Sequence, residues 1–522
     1  MDPDFDGDAF FNEESLPHIN DGALQTQIDQ LDPTAVGLGV PDAVALPTIN
    51  ADVLQRLVSL HANGCSNRLA WSRQGHIASI SGDGRGIVLQ YLVFDRRKQS
   101  WQLSPKRIEH VGRGQIANII WSPLATDLAV LGVAGNLTVL RPVGTATNRL
   151  AEVKLGAGGD LADFGQVIGL HWLGQDRAER PRQLVQSASK SNDTGRWQHR
   201  HVKAAVLQPV YPRAIIVVSR EAKLALIYEK MDSSFGKLTC DLVTHLEEYT
   251  HAAVAPATNG KLLVALHSKT GNISVRSVAI DMMPVRSEGL PTLKVELSAS
   301  ELSNAALPSL NGQIYDGNTQ HLTHLGIIPS SEIEKATRLP TTVFGIYAHM
   351  NYDIAAGMGP FMSTATIRRW SISPLNETLF SKFNDGPTKT KHGATAATEE
   401  SNVVEALPDK DEQAITNVSV LENGQGFHIT TVDGRTDLLS TADLSSSLAF
   451  PSEDGSISSL MQAGFALPVI QSPASVALSP NLFCAAGVDT HQDVELAISQ
   501  HNPPDPTQTL DPSTTSGDTA VA

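Results

Sequence analysis

The stretch LAWSRQGHIASISGDGRGIVLQYLVF, residues 69–94, decides the fold. It holds a β-prone run that ends at Trp71, a second run that begins at His76, a glycine-rich turn at 82–86, and a third run that reaches Phe94. A tight glycine-rich turn between two β-prone runs is typical of a β-hairpin. The stretch therefore predicts three short antiparallel strands in succession.

The same order of features recurs along the chain. Trp121 follows Trp71 by 50 residues, and Trp172 follows Trp121 by 51. Later units lack the tryptophan but keep the frame. Prolines occupy one shared place just after the first strand of several units, and this set comprises Pro123, Pro209, Pro256, Pro329 and Pro480. Proline cannot donate to a strand ladder, so each of them is expected to end that strand. Units of about 40–50 residues with roughly four short strands are typical of β-propeller blades.

The sequence thus predicts an all-β fold, a WD40-like β-propeller of seven blades with disordered termini and inserted loops. The predicted boundaries are a disordered acidic tail at 1–45, the propeller at 46–495 and a disordered tail at 496–522. About eight unit starts occur, and one is expected to be a strand of a neighbouring blade. The segment near 46–70 is expected to complete the last blade by strand pairing. The repeated tryptophans are expected to pack between blades.

Three stretches between these units are interpreted as insertions, because they are rich in Ser, Asn, Pro, Gly or acidic residues. They are residues 283–320, 381–413 and 441–462.

Charge and cysteine content narrow the function classes. The chain of 522 residues has a formal net charge of −16, and its first 50 residues contain ten acids but no Lys or Arg. Phosphates repel so acidic a protein, so no direct sequence-specific nucleic acid binding is predicted.

Cys65, Cys240 and Cys484 lie far apart, which favours a reducing compartment over a disulfide framework or a Cys-based zinc site. No apolar run approaches the ~18–20 residues that span a bilayer, so no membrane association is predicted.

No catalytic, cofactor-binding or metal-binding residue is predicted, and the chain is interpreted as not being an enzyme. The glycine-rich stretches 82–86 and 156–159 lack the Gly-Lys-Ser/Thr ending of a phosphate-binding loop. Both are interpreted as hairpin turns. The sequence also contains neither a Gly-x-Ser-x-Gly elbow nor a His-Glu-x-x-His zinc pair.

One local cluster of basic residues stands out. It consists of His199, Arg200, His201 and Lys203, with Arg177, Arg180 and Arg182 close by in sequence. An exposed connection between strands is the first interpretation of this cluster. The alternative is a positive surface that receives an acidic protein segment.

The order of these residues resembles a known family. Residues 64–84, GCSNRLAWSRQGHIASISGDG, resemble the opening blade of the fungal subunit 16 family of the Mediator of RNA polymerase II transcription. The runs at 119–122, 128–130 and 167–173 fit the next two blades, and 195–197 and 475–481 fit less specifically. The matching segments are scattered over roughly residues 60–490. The Trp-Asp dipeptides typical of WD40 blades are absent.

The resemblance implies a propeller followed by a largely helical C-terminal part, whereas this sequence ends at Ala522. It also implies a nuclear scaffold of the Mediator tail module without chemistry of its own. Its partners would be other tail subunits and transcription activators, with RNA polymerase II reached indirectly.

Two alternatives to this function remain open. One is a different propeller adaptor, such as a ubiquitin-ligase substrate receptor or a coat component. The other is a propeller hydrolase, which requires inward-facing His, Asp or Glu residues that converge at one mouth of the central channel.

Overall fold

The structure is a computed structural model, and the chain divides into two compact units, Met1–Thr48 and Ile49–Ala522. The described residues all lie in the second unit. They are residues 51–111, 114–143, 149–159, 161, 164–174, 182–186, 197–201, 212–244, 247–257, 260–287, 290–302, 307–315, 318–333, 337–351, 361–374, 402–421, 424–445, 465–471, 473–480, 482–488 and 493–499. No helix within these ranges is long and apolar enough to cross a membrane.

Seven antiparallel sheets, here called blades 1 to 7, follow one another along the described chain. Blade 1 contains β1 (Leu69–Trp71), β2 (His76–Ile80), β3 (Gly86–Asp95), β4 (Ser100–Leu103) and β5 (Arg107–His110). Blade 2 contains β6 (Ile116–Trp121), β7 (Leu128–Gly132), β8 (Leu137–Pro142) and β9 (Leu150–Val153). Blade 3 contains β10 (Val167–Trp172), β13 (Ala214–Ser219), β14 (Lys223–Glu229) and β15 (Phe235–Asp241), and the hairpin of β11 (Arg182–Gln186) and β12 (Trp197–His201) lies between its first two strands in sequence.

The remaining four blades vary more in size. Blade 4 contains β16 (Tyr249–Pro256), β17 (Leu262–Ser268), β18 (Asn272–Ser287), β19 (Leu290–Glu301) and β20 (Leu307–Pro308). Blade 5 contains β21 (Ile314–Tyr315), β22 (Asn318–Ile328), β25 (Thr341–Asn351), β26 (Phe361–Pro374) and β27 (Asn402–Gln413), with the separate hairpin of β23 (Ser331–Ile333) and β24 (Thr337–Leu339). Blade 6 contains β28 (Ile415–Val420), β29 (Gly426–Thr431) and β30 (Thr436–Ser440). Blade 7 contains β31 (Val476–Leu478), β32 (Cys484–Val488) and β33 (Val494–Ile498).

Successive blades bury their faces against each other. One apolar cluster joins blades 1 and 2, and further clusters join blades 2 and 3, 3 and 4, 4 and 5, and 5 and 6. Leu69 and Ile77 of blade 1 pack with Ala477, Ala486 and Val488 of blade 7, which closes the ring. A single small sheet cannot cover both of its faces, so this mutual burial stabilises every blade. The predicted seven-bladed propeller is confirmed.

The repeated tryptophans pack between blades, as predicted. Trp121 is 8% exposed, and its indole N–H donates to the carbonyl oxygen of Ala70 in blade 1 at 3.1 Å. Trp172 repeats this contact one blade further on, since its indole donates to the carbonyl of Ile120 at 3.1 Å. Trp71 is half-buried against the blade 7 cluster. The indoles of Trp121 and Trp172 therefore each link the first strand of one blade to the first strand of the blade before it.

A buried carboxylate adds a polar link between blades 2 and 3. Asp127 lies in the turn between β6 and β7 and is completely buried. It accepts a hydrogen bond from Arg141 Nε at 3.0 Å and forms an ion pair with Arg213 Nε at 3.5 Å. A buried charge is stable when it is paired in this way.

The segment before blade 1 differs from the prediction. Residues expected to complete the last blade instead form helix α1 (Ala51–Ala62). Val53, Leu57 and Leu60 are spaced three and four residues apart, so they share one buried face of this helix. That face packs against Ala348 and Ala414 of blades 5 and 6. Helical spacing of apolar residues therefore prevails over strand pairing here.

The surplus unit start is resolved in blade 3. β10 pairs directly with β13, so the Trp172 unit and the unit after it form one blade. The predicted first strand at 204–209, with Pro209, lies outside the described residues. Of the other prolines, Pro256 is the last residue of its strand, while Pro123, Pro329 and Pro480 follow theirs.

Two predicted insertions contain blade strands. Much of 283–320 belongs to blade 4, where β18 runs to Ser287 and pairs with β19 along its length. Residues 402–413 form β27, the outer strand of blade 5. Of the third predicted insertion, residues 446–462 lie outside the described chain. These acidic and serine-rich stretches are therefore partly paired backbone, since edge strands tolerate polar side chains on both faces.

The turns and boundaries also differ from the prediction in part. The turn at 82–86 is a hairpin turn as predicted, whereas 156–159 is a short 3₁₀ helix between blades 2 and 3. β33 ends at Ile498, three residues past the predicted end of the propeller. The predicted disordered tail 1–45, and the predicted tail 496–522 from residue 500 onward, lie outside the described residues and stay predictions.

Candidate interaction sites

A central cavity of about 450 Å³ lies between the first strands of the blades. Its lining comes from the first strands β1, β6, β16, β28 and β31, from β22 and Phe344 of β25 in blade 5, and from α1 and the residues that follow the helix. Neighbouring first strands approach each other around the ring, so the cavity is the propeller's channel. A pocket of this size suits a small molecule or an inserted side chain.

Residues 51–68, here called the strap, cross one end of this channel before the chain enters blade 1. His61 Nδ1 lies 3.1 Å from the Leu322 carbonyl oxygen of blade 5. The backbone N–H of Gly64 donates to the Thr250 carbonyl of blade 4 at 3.2 Å. These contacts attach the end of α1 to blades 4 and 5.

Two asparagines continue the strap toward blade 1. Asn63 Nδ2 donates to the Val167 carbonyl of blade 3 at 2.9 Å, and Asn67 Nδ2 donates to the Ile119 carbonyl of blade 2 at 3.1 Å. Together with the packing of α1 on blades 5 and 6, these bonds connect the strap to five blades.

Buried histidines surround the C-terminal end of α1. His251 Nε2 lies 2.9 Å from the Leu60 carbonyl, and Thr250 Oγ1 lies 2.8 Å from His251 Nδ1 and 3.0 Å from His267 Nδ1. Burial lowers the pKa of His267 to about 4, and burial followed by neighbouring histidines holds the pKa of His251 well below its usual value. Burial and then the charge of Arg56 lower the pKa of His324 to about 3. These imidazoles are therefore neutral at physiological pH.

Of the His, Asp or Glu residues on which the hydrolase alternative depends, the described lining of the cavity contains only histidines. Its titratable side chains are Arg56, His251 and His324, and no Asp or Glu lies among the residues that line it. Within the described part of the chain, no group of three or more His, Cys, Asp or Glu side chains is placed to hold a metal ion.

A second candidate site is the outer hairpin of blade 1, formed by the second half of β3 and by β4 (residues 92–103). Phe94 and Trp101 face each other across the two strands, with ring centroids 5.2 Å apart in an edge-to-face arrangement. They remain 41% and 47% exposed, so nearly half of each residue stays accessible to solvent in the described structure. Exposed aromatic pairs of this kind are characteristic of protein interfaces.

The tip of this blade 1 hairpin is basic. Arg96, Arg97 and Lys98 are exposed, and the structure shows no ion pair of theirs within the described residues. The Asp95 carboxylate accepts the backbone N–H of Arg97 at 2.8 Å, which shapes the turn. Three positive charges and one negative charge leave the tip at +2. The hairpin thus joins an apolar surface to positive charge.

The structure describes part of the basic cluster noted in the sequence. Arg182 and His201 lie opposite each other in the β11–β12 hairpin, and Gln183 lies opposite Arg200. This places the cluster on a paired strand and not in a simple connection between strands. Arg177, Arg180 and Lys203 lie outside the described residues, so the positive surface stays a prediction.

Sequence reasoning missed both sites found here. The blade 1 hairpin had a readable signal, since the run FDRRKQSW places two aromatic residues around a basic turn. The cavity had none, because its lining residues come from strands that are hundreds of residues apart.

Comparison with known proteins shows the family. Residues 161–470, more than half of the chain, match the family model described as "Mediator complex subunit 16, N-terminal". The chain belongs to the Mediator subunit 16 family. It is therefore related to a subunit of a transcription complex, and the predicted resemblance is confirmed.

Curated relatives agree with this assignment. Proteins named "Mediator of RNA polymerase II transcription subunit 16" from Neosartorya fischeri and Aspergillus clavatus are each 25% identical to this chain over 509 residues. The alignments cover 90% and 89% of the chain and 51% of each relative. The chain thus spans about half the length of the curated relatives it matches.

Solved structures give weaker similarity. A chain of the mitotic checkpoint complex is 12% identical with a TM-score of 0.33, and the match covers 90% of this chain and 97% of that one. The β-propeller domain of Cps50 (Swd1) from Myceliophteria thermophila is 10% identical with a TM-score of 0.36, covering 83% and 95%. Scores of this size add nothing to the fold assignment, which rests on the seven blades themselves.

Proposed function

We propose that this chain is a non-catalytic scaffold subunit of the Mediator tail module. In this role it works in the nucleus as part of a coactivator, where it holds other tail subunits and receives DNA-bound activators. RNA polymerase II is reached only through those partners. The observation that carries the proposal is the match of residues 161–470 to the subunit 16 family. A propeller suits the role because its edges and loops offer a large binding surface on a rigid frame.

The experiment that tests this function is purification of the tagged chain from nuclear extract, followed by mass spectrometry. We expect other Mediator subunits among the specific companions. Recovery of ubiquitin-ligase or coat proteins in their place would overturn the proposal in favour of another propeller adaptor.

Within this role, the blade 1 hairpin is the surface we propose for contact with an acidic partner segment that also carries apolar side chains. The exposed rings of Phe94 and Trp101 supply apolar area, and the adjacent basic tip complements negative charge. Aromatic and arginine side chains together supply much of the binding energy of typical interfaces. Charge complementarity also speeds association and makes it sensitive to salt.

Charge reversal tests this surface against a matched control. The test variant combines Arg96→Glu with Arg97→Glu in the hairpin. The control combines Arg149→Glu with Lys154→Glu on the exposed edge of blade 2, and it changes the net charge by the same amount. The hairpin variant is expected to lose at least one Mediator companion, while the control retains all of them. Equal recovery from both variants would remove the hairpin from the interface and leave the scaffold role itself untouched.

A further inference from the structure

Arg56 is a buried cation inside the propeller channel. It lies on α1, lines the central cavity and is only 7% exposed. Its Nη1 donates to Ser66 Oγ at 2.9 Å, whereas its Nε has no hydrogen-bond partner. The described residues supply no carboxylate that forms an ion pair with Arg56. A guanidinium carries five N–H donors, and the buried one on Nε is unused here.

This arrangement is costly in the absence of a ligand. A buried charge without a partner loses its hydration and destabilises the fold by an amount on the order of several kcal/mol. The cost of burying this charge also lowers the pKa of Arg56, to about 10, with the charge of Arg68 as the second cause. None of the acidic residues in the described part of the chain lies in the cavity lining. The cavity is therefore positive within an acidic protein.

The rest of the lining suits a small polar molecule. Ser66, Asn417 and Ser419 provide hydroxyl and amide groups, while Ala70 and Val418 provide apolar surface. The histidines of the lining are neutral, for the reasons given above, and so add hydrogen-bonding capacity without charge. Polar groups that converge on one pocket are typical of small-molecule sites.

We propose that the central cavity binds a small oxyanion-bearing ligand, with Arg56 as its charge partner. A phosphate or carboxylate group matches the planar donor fork of a guanidinium better than any neutral group does. Ser66 is a positioning residue, since its hydroxyl holds Nη1 and leaves the other donors directed at the ligand. This site is independent of the Mediator role and extends beyond it, because it recognises a small molecule and not a protein surface.

Inorganic phosphate is the probe for the first test, on the full chain. For a dissociation constant near 1 mM, 50 mM phosphate is expected to raise the Tm by about 2 °C relative to sodium chloride at equal ionic strength. Arg56→Gln is expected to abolish this shift. The control Arg107→Gln, an exposed arginine of blade 1 outside the cavity, is expected to keep it. Sodium acetate in parallel assigns the site to carboxylates if it acts as strongly as phosphate, and to phosphorylated ligands if it does not.

A second measurement separates binding from folding. Because Arg56 is buried without a charge partner, Arg56→Met is expected to raise the Tm in chloride and to lose that advantage in phosphate. Ser66→Ala is expected to weaken phosphate binding by about 10- to 100-fold in calorimetry, equal to a lost hydrogen bond to a charged group. The proposal is overturned if the wild type shows no saturable phosphate response, or if Arg56→Gln responds as the wild type does.

Discussion

Replacement of Trp121 by phenylalanine tests whether the tryptophans join the blades. The substitution removes the indole N–H that donates to the Ala70 carbonyl at 3.1 Å and leaves that buried oxygen without this donor. An unsatisfied buried acceptor costs about 1–3 kcal/mol. The smaller ring adds about 1 kcal/mol for the space that it leaves in the cluster between blades 1 and 2. The expected total is a loss of about 2–4 kcal/mol in the free energy of unfolding.

Thermal unfolding converts this loss into a measurable shift. With an unfolding entropy of about 2.1 cal/mol/K per residue, a propeller of about 450 residues loses about 2–4 °C in Tm. The assay is differential scanning calorimetry supported by far-ultraviolet circular dichroism, since the substitution itself changes tryptophan fluorescence. Trp101→Phe is the matched control, because Trp101 is half-exposed in the blade 1 hairpin, and its loss is expected to be below about 0.5 kcal/mol. Equal shifts in the two variants would refute the role of the indole as a link between blades.

Three other perturbations have expected outcomes. Asp127→Asn removes the charge that pairs with two partly exposed arginines, so it should lower the free energy of unfolding by about 2–3 kcal/mol in denaturant. The control Glu221→Gln, at an exposed ion pair, should lower it by less than about 0.5 kcal/mol. Gly434→Ala should destabilise more than Gly75→Ala in thermal unfolding, since both have positive φ but a Cβ at Gly434 would lie 1.7 Å from a backbone oxygen of the segment before blade 7. The buried histidines bind protons in the unfolded state near pH 6.5 but resist them in the folded state, so stability should fall as the pH drops from 6.5 toward about 4. His267→Gln should reduce that loss in Tm measured across this pH range.

Each of these outcomes can fail in a distinct way. An Asp127→Asn variant as stable as the Glu221→Gln variant would show that the buried carboxylate contributes no net stability. Similar losses in the two glycine variants would place the strain in φ alone and not in the contact with blade 7. A wild-type Tm that stays constant or rises from pH 6.5 to 4 would contradict the neutral state of the buried histidines.

The sequence predicts the strands of the fold well because local chemistry decides them. Glycine and asparagine at tight turns, such as 134–136, and prolines after the first strands mark the limits of each blade. The register of a hairpin follows from its turn, so these positions determine the pairing without reference to the rest of the chain. This is why blades 6 and 7 can be predicted although they lack the tryptophan.

The strap and the cavity could not be predicted for physical reasons. The apolar residues of 51–62 have helical spacing, but the place where this helix packs, against residues near 348 and 414, depends on contacts between distant parts of the chain. The channel is lined by residues from Arg56 to Leu478, which no spacing rule connects. The blade 1 hairpin lies between these cases, since its aromatic and basic residues are local but their exposure depends on how far β3 extends beyond its blade.

The strap also affects how the chain can fold during its synthesis. His61 contacts blade 5 across 261 positions, and Lys106 of blade 1 forms an ion pair with Asp493 beside blade 7 across 387 positions. At about 5–20 residues per second, a ribosome needs roughly 20–90 s after blade 1 to produce the strands of blade 7. Until then, the apolar face of blade 1 that packs against blade 7 stays exposed to solvent, and exposed apolar surface favours aggregation. The strap cannot shorten this interval, because its own contacts also form late, so nascent chains of this protein are expected to require a chaperone until the last blade has emerged.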